Sequence, residues 1–198
     1  MLSNHHVSAV CLCPGPPRRL VQSFRALWSE EVKLEGTTRV TWLIEPVGDS
    51  CRQTRRAGLL VFGRETYDLM VSYWPTPVAL EQNREIAEGM NPLPKLVFSR
   101  TLGKSDWNNA TVVKGDPVAE LRKRKEAGLN ITILGSGNLV AQLAPSGVIA
   151  EYQMILCPVV LGQGRTMFEG VPKQLRMAPT KVRQFRNGKV LLHYERAS

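Results

Sequence analysis

No apolar run of about 18 residues occurs in the 198-residue sequence, which excludes a membrane-crossing helix. Cysteine is scarce, at four, and no apolar segment with a small-residue cleavage site opens the chain. The expected setting is therefore cytoplasmic, with free thiols. Histidine is scarcer still, at three. His5-His6 and Cys11-x-Cys13 offer ligand types, but no second pair stands at finger spacing, so no metal is expected. Aromatics make up only 7%, and Trp28, Trp42, Trp74 and Trp107 are scattered rather than periodic. That excludes a stacking platform for single-stranded nucleic acid. Repeats and low-complexity tracts are absent. Acidic residues are short as well: 17 against 26 Lys+Arg gives a net charge of +9. Such an excess suits an anionic partner, whether nucleic acid, phospholipid or a phosphorylated small molecule. Without any nucleic-acid motif, the small molecule is the expectation.

What is present is an ordinary globular composition, 43% hydrophobic, in a length that suits one domain. Composition shifts near Ala57. Residues 1–57 hold Cys11, Cys13, Cys51 and the doublets Arg18-Arg19 and Arg55-Arg56, with eight basic residues against five acidic. Periodicity is poor there. Val40 to Val47 reads as a strand and Phe24 to Leu34 as a short helix, while Cys11 to Arg19 is irregular. Two origins fit this atypical segment: divergence, or a shifted reading frame of GC-rich coding sequence. Residues 58–198 form the legible domain.

From Gly58 the pattern is regular. Gly58 to Phe62, Lys95 to Ser99, Ala110 to Val113 and Asn130 to Leu134 are compact apolar runs of strand length. Helices are expected from Gly63 through Tyr73, from Val78 to Glu88, and from Asn138 to Leu143. Another starts at Asp116-Pro117, an N-cap followed by proline at the first helical position, and closes at Gly128. Val148 to Leu161 reads as a long strand bent at Pro158. Val182 to Phe185, Arg186-Asn187-Gly188 and Lys189 to Glu195 read as a hairpin with Asn-Gly at its turn. Alternating strands and helices that end in a hairpin predict a three-layer α/β/α fold. Its central sheet is mixed but mostly parallel, with an antiparallel C-terminal hairpin.

Three strand ends carry phosphate-binding chemistry. Ile131 to Leu139 is a strand, a Gly135-Ser136-Gly137 turn and a helix start, where glycine admits close approach and unpaired N–H groups face outward. Alone the turn is weak evidence, because the third glycine of a dinucleotide fingerprint is absent. Gly63-Arg64-Glu65-Thr66 and Ser99-Arg100-Thr101 add guanidinium groups and hydroxyls, which together satisfy several oxygens of a phosphate monoester. Ligands of open α/β sheets gather at the carboxyl ends of the strands, so the three turns favour a phosphate-rich cofactor with a 2′-phosphate, meaning NADPH. Other residues have bland explanations: Arg122 to Lys125 as a solvated helix face, Cys157 as a small buried hydrophobe, His193 as an ordinary sheet residue. Gln163, Arg165 and Thr166 sit in a loop that either touches substrate or merely connects.

Leu60 to Tyr67, Tyr73-Trp74-Pro75, Lys95 to Leu102, Trp107-Asn108-Asn109, Leu134 to Gly137 and Pro158 to Gly164, in that order, resemble the dihydrofolate-reductase-like family. The nearest group is similar to the C-terminal reductase domain of the bifunctional riboflavin-biosynthesis deaminase–reductase. The resemblance covers about residues 58–195 and implies an NADPH-dependent reductase acting on a ribosylamino-pyrimidine phosphate or a similar small substrate. It implies that Gly63, Arg64, Thr66, Ser99, Arg100 and Thr101 hold the adenosine and phosphate portion. The pyrophosphate would fall to Gly135, Ser136, Gly137, Asn138 and Leu139. A homodimer is compatible with it. The family's opening strand and Asp-Gly turn have only Ser8 to Leu12 and Leu43 to Pro46 as counterparts, neither with Asp-Gly, and Ala150 stands where relatives place an aspartate. No catalytic acid is thereby assigned; Glu65 and Glu151 are the carboxylates at hand. A non-catalytic nucleotide-binding protein of the same fold is the alternative.

Overall fold

The computed structural model describes residues 58–156, 158 and 168–197, together with the backbones of the strands at 7–11, 32–33 and 39–40. In chain order the strands are β1 (Val7–Cys11), β2 (Val32–Lys33), β3 (Arg39–Val40), β4 (Leu59–Gly63), β5 (Lys95–Phe98), β6 (Ala110–Val113), β7 (Ile131–Leu134), β8 (Glu151–Leu156), β9 (Met177–Gln184) and β10 (Val190–Arg196). The described helices are α1 (Arg64–Val71), α2 (Pro77–Gln82), α3 (Arg84–Met90), α4 (Pro117–Glu126) and α5 (Gly137–Leu143), with a 3₁₀ turn at Ala144–Ser146. None of the described helices is long and apolar enough to cross a membrane.

Eight strands form one sheet in the order β6-β5-β4-β7-β1-β8-β10-β9. All neighbours from β6 to β8 pair in parallel, and β10 pairs antiparallel with both β8 and β9. The expected α/β/α architecture is present. β4, β5 and β7 are apolar at nearly every position because both sheet faces are covered. Leu60, Phe62, Val97 and Leu134 pack on one face against Tyr67, Met70, Ile86 and Met90 of α1 and α3. Val61, Leu96, Ile131 and Ile133 pack on the other against Leu121 of α4 and Leu139, Val140 and Leu143 of α5.

β1 occupies a central slot, between β7 and β8, and comes from the segment that composition sets apart. Val7 to Val10 lie opposite Ile131 to Leu134, which supplies β7 with a backbone partner on that side. Val32–Lys33 is a strand paired with Arg39–Val40, so the helix expected from Phe24 does not run through Leu34. The rest of that helix, and Thr41 to Val47, lie outside the described residues.

Elsewhere the boundaries shift for local reasons. The helix expected over Val78 to Glu88 is two helices, broken at Asn83 (φ −140°, ψ 45°), which caps one and starts the next. The Asn83 amide donates to the Tyr73 hydroxyl at 2.7 Å, holding the break in place. β8 begins at Glu151 rather than Val148, and Cys157 and residues 159–167, with Gln163, Arg165 and Thr166, fall outside the described residues. β9 starts at Met177, earlier than expected. It tolerates Pro179 because it is the sheet's outer strand.

The Asp116 cap is made as expected: its carboxylate accepts from the N–H groups of Val118 (3.1 Å) and Ala119 (3.2 Å). Asp116→Ala is expected to lower stability by about 1 kcal/mol. The urea midpoint should therefore fall with no change in slope, and an unchanged midpoint would show the cap to be idle. The helix it starts has Leu121 buried and Arg122 and Lys123 exposed, with Arg124 paired to Glu120 at 2.7 Å. The basic run is a solvated face, apart from Arg122 donating to the Ser146 carbonyl at 3.1 Å.

Candidate functional site

Parallel pairing aligns the carboxyl ends of β5, β4, β7 and β1 along one edge of the sheet. Gly63 lies opposite Phe98, Val61 opposite Ile133, and Val10 opposite Leu134. The turns after β5, β4 and β7 therefore emerge side by side, with Arg64, Thr66, Arg100, Thr101 and Ser136 on them.

Two of these turns interlock. The Gly63 N–H donates to Ser136 Oγ at 2.7 Å. Ser136 in turn donates twice to Thr66 Oγ1, from its hydroxyl at 2.9 Å and from its backbone N–H at 3.0 Å. The approach requires glycine on both sides. A Cβ on Gly63 would lie 3.1 Å from Ser136 Oγ, and one on Gly135, whose φ is +60°, would lie 3.2 Å from Thr66 Cγ2. Ser136 is itself left-handed (φ 56°, ψ 58°), a conformation that non-glycine residues rarely hold.

The remaining expected residues divide by exposure. Arg100 and Thr101 are exposed at the same edge. Arg64 is half-buried and its Nε donates to Asp68 Oδ2 at 2.6 Å, an exposed i,i+4 pair that orients the guanidinium but contributes little to stability. The Ser99 hydroxyl turns inward and accepts the Leu102 N–H at 3.0 Å, so it shapes the turn that carries Arg100. Leu139 is a core residue. Asn138 is exposed and accepts from Gln142 at 2.7 Å. α1 starts at Gly63 with no side-chain cap, so the first N–H groups of that helix lack a capping side chain. The edge is rich in donors and cations, which suits phosphate oxygens.

A second polar cluster lies two strands beyond β7. Antiparallel pairing sets His193 opposite Gln153. Glu151 Oε1 accepts from Gln153 Nε2 at 2.7 Å and from His193 Nδ1 at 2.9 Å. Gln153 Oε1 and His193 Nε2 are enclosed with no hydrogen-bond partner among the described residues. An ionised Glu151 carboxylate only accepts, so across this contact the donor is His193 Nδ1–H. The expectation of an ordinary sheet histidine gave no sign of this pair, because its partner is 42 residues away in sequence. The strand alternation that placed His193 between Leu192 and Tyr194 was the only available signal. Glu65, the other carboxylate considered, is exposed on the first turn of α1.

The RibD C-terminal domain family model matches residues 41–191, well over half of the chain. The chain belongs to the RibD C-terminal domain family. Among relatives of this RibD-like chain, the uncharacterized Bacillus subtilis (strain 168) protein YyaP is 28% identical over 136 residues, which cover 68% of this chain and 72% of YyaP. A Shewanella sp. PV-4 structure described as a riboflavin biosynthesis protein superimposes with a TM-score of 0.60 at 21% identity. It covers 74% of this chain and 78% of that one. Dihydrofolate reductase from Enterococcus faecalis, complexed with NADP(H) and RAB-propyl, superimposes with a TM-score of 0.52 at 13% identity, over 98% of each chain. The fold is thus that of dihydrofolate reductase, as the motif order implied, and the family match begins before Gly58.

Proposed function

We propose that this RibD-like domain is an NADPH-dependent reductase whose substrate is a ribosylamino-pyrimidine phosphate, 5-amino-6-(5-phosphoribosylamino)uracil, or a closely similar heterocycle. One observation carries the cofactor assignment: Arg64, Thr66, Arg100 and the Gly135–Ser136 turn converge at one carboxyl edge of a parallel sheet. The donor set fits the group. Arg64, Arg100 and Thr101 take the 2′-phosphate, on a turn that Ser99 holds in shape. Thr66 and the backbone of Gly135 to Leu139 take the pyrophosphate. When bound, NADPH supplies a hydride to the carbon of a C=N or C=O bond. The chain's own contribution is to anchor the cofactor by its phosphates, so that donor and acceptor carbons are held close and aligned.

The test is a fluorescence titration with NADPH and NADH. Wild type is expected to bind NADPH at least about tenfold tighter, and Arg100→Ala should lose about that factor for NADPH while NADH is unaffected. Equal or absent binding of the two nucleotides by wild type would overturn the 2′-phosphate assignment. Oxidation of NADPH on adding the pyrimidine separates a reductase from a non-catalytic binder of the same fold.

A further inference from the structure

We propose that Ser136 is a positioning residue: its hydroxyl sets the direction of a hydrogen-bond relay that leaves the Thr66 proton for an anionic acceptor, the cofactor pyrophosphate. The inference rests on the NADPH reading above and adds the device that orients its binding group. A hydroxyl has one proton and two acceptor sites. At Thr66 Oγ1 both acceptor sites are filled from the same residue, by Ser136 N–H at 3.0 Å and Ser136 O–H at 2.9 Å. The Ser136 hydroxyl accepts the Gly63 N–H at 2.7 Å at one of its two acceptor sites and gives its single proton to Thr66. The relay thus runs one way, from Gly63 N–H through Ser136 to Thr66. Its last proton is the one on Thr66, which is half-buried and has no acceptor among the described residues. Successive donation polarises each member, so the terminal O–H is a stronger donor than an isolated threonine.

Ser136 holds this place in a left-handed conformation (φ 56°) that glycine would adopt without strain. Backbone relief and hydrogen bonding therefore pull in opposite directions at this position, and substitution separates them. Ser136→Ala removes the relay and keeps the strain. Ser136→Gly removes the relay and releases the strain. In either variant the Thr66 hydroxyl loses one of its two donors and its proton is free to turn inward.

Wild type, Ser136→Ala, Ser136→Gly, Thr66→Ser and Thr66→Val are compared by titration with NADPH, followed by fluorescence. A parallel titration uses inorganic pyrophosphate, followed by the amide resonances of Gly63, Thr66 and Ser136. Ser136→Gly should melt about 3 °C above Ser136→Ala. Both should nonetheless lose about tenfold in affinity for both ligands, as should Thr66→Val, whereas Thr66→Ser retains wild-type binding. If Ser136→Gly binds like wild type while Ser136→Ala does not, affinity tracks backbone strain, and the relay is refuted with the cofactor reading intact. If wild type binds pyrophosphate and NADPH and neither Ser136 variant weakens either, the relay is likewise refuted alone. Absence of binding of both ligands by wild type overturns the cofactor reading and the relay with it.

Discussion

Lys95→Ala is expected to lower the stability of the folded protein by about 4 kcal/mol, combining the cavity of a deleted long side chain with stranded backbone acceptors. Lys95 opens β5, yet it is only 1% exposed. Its Nζ donates to the carbonyls of Asn91 (2.7 Å), Leu93 (2.8 Å) and Asn108 (3.2 Å), and lies 4.6 Å from the centre of the Trp107 ring. One ammonium group therefore ties the end of α3 and the two segments that flank β5 into one unit. Trp107 is held from its other end as well, its Nε1 donating to Asn91 Oδ1 at 3.0 Å. Lys95→Met keeps most of the apolar stem and removes only the donors and the charge. It should cost less, about 2 kcal/mol, because loss of the acceptors' partner is offset by relief of a buried charge.

Acidity provides an independent check. Burial lowers the Lys95 ammonium from its ordinary 10.5 to about 8. Below about pH 8 the folded and unfolded chains both hold the proton, and the burial penalty on the charged form is fully present. Between about pH 8 and 10.5 the unfolded chain keeps a proton that the folded chain has released, so this residue makes stability rise with pH. Urea denaturation of wild type and Lys95→Met at pH 7, 8, 9 and 10 isolates the contribution, since every other titrating group is common to both. The wild-type advantage should widen with pH. A constant difference would mean that the three carbonyls and the indole face hold the ammonium as well as water does.

Gly135→Ala has the next largest expected effect, about 2–3 kcal/mol, from left-handed backbone on a residue with Cβ and from displacement of a packed neighbour. The added methyl group would sit 3.2 Å from Thr66 Cγ2 and 3.4 Å from Thr66 Oγ1, at a φ of +60°. Thr66 cannot yield without lengthening its bonds to Ser136, so the substitution should weaken NADPH binding as well as folding. Gly115→Ala is the control: among the described residues nothing lies within 4 Å of its added Cβ and its φ is not positive, so its effect should stay within about 0.5 kcal/mol. Equal urea midpoints for the two variants would show that the close approach of the turns is not needed.

Much of this fold is written locally. Leu59 to Phe62 and Leu96 to Phe98 are apolar on consecutive residues, and Ile131 to Leu134 at all but Thr132, as suits strands covered on both faces. Asp116, Pro117 and Gly128 bracket α4 by rules that act within a few residues, and Asn187-Gly188 turns the hairpin, with Gly188 at φ +80°. The candidate site was legible to the same depth. Glycines, hydroxyls and arginines stand after apolar runs, and parallel pairing brings such positions to one edge.

What those residues do there was decided by contacts between distant parts of the chain. Ser136 and Thr66 are 70 residues apart, and their three-group relay exists only because β4 and β7 are neighbours in register. Lys95 reads as a polar residue at a strand entrance and is instead the fully enclosed knot of its region. His193 meets Glu151 through the antiparallel register of β10 on β8. The slot between β7 and β8 is filled by Val7–Cys11, whose five residues carry too short a pattern to announce a central strand. From Gly58 to Leu143 the sequence by itself determined where strands and helices lie, the break at Asn83 apart, because backbone preference and burial periodicity act over a few residues. The tertiary structure alone decided which turns touch, which hydroxyls donate to which, and where charge is buried. Hydrogen-bond direction and strand register are fixed by partners that local sequence does not contain.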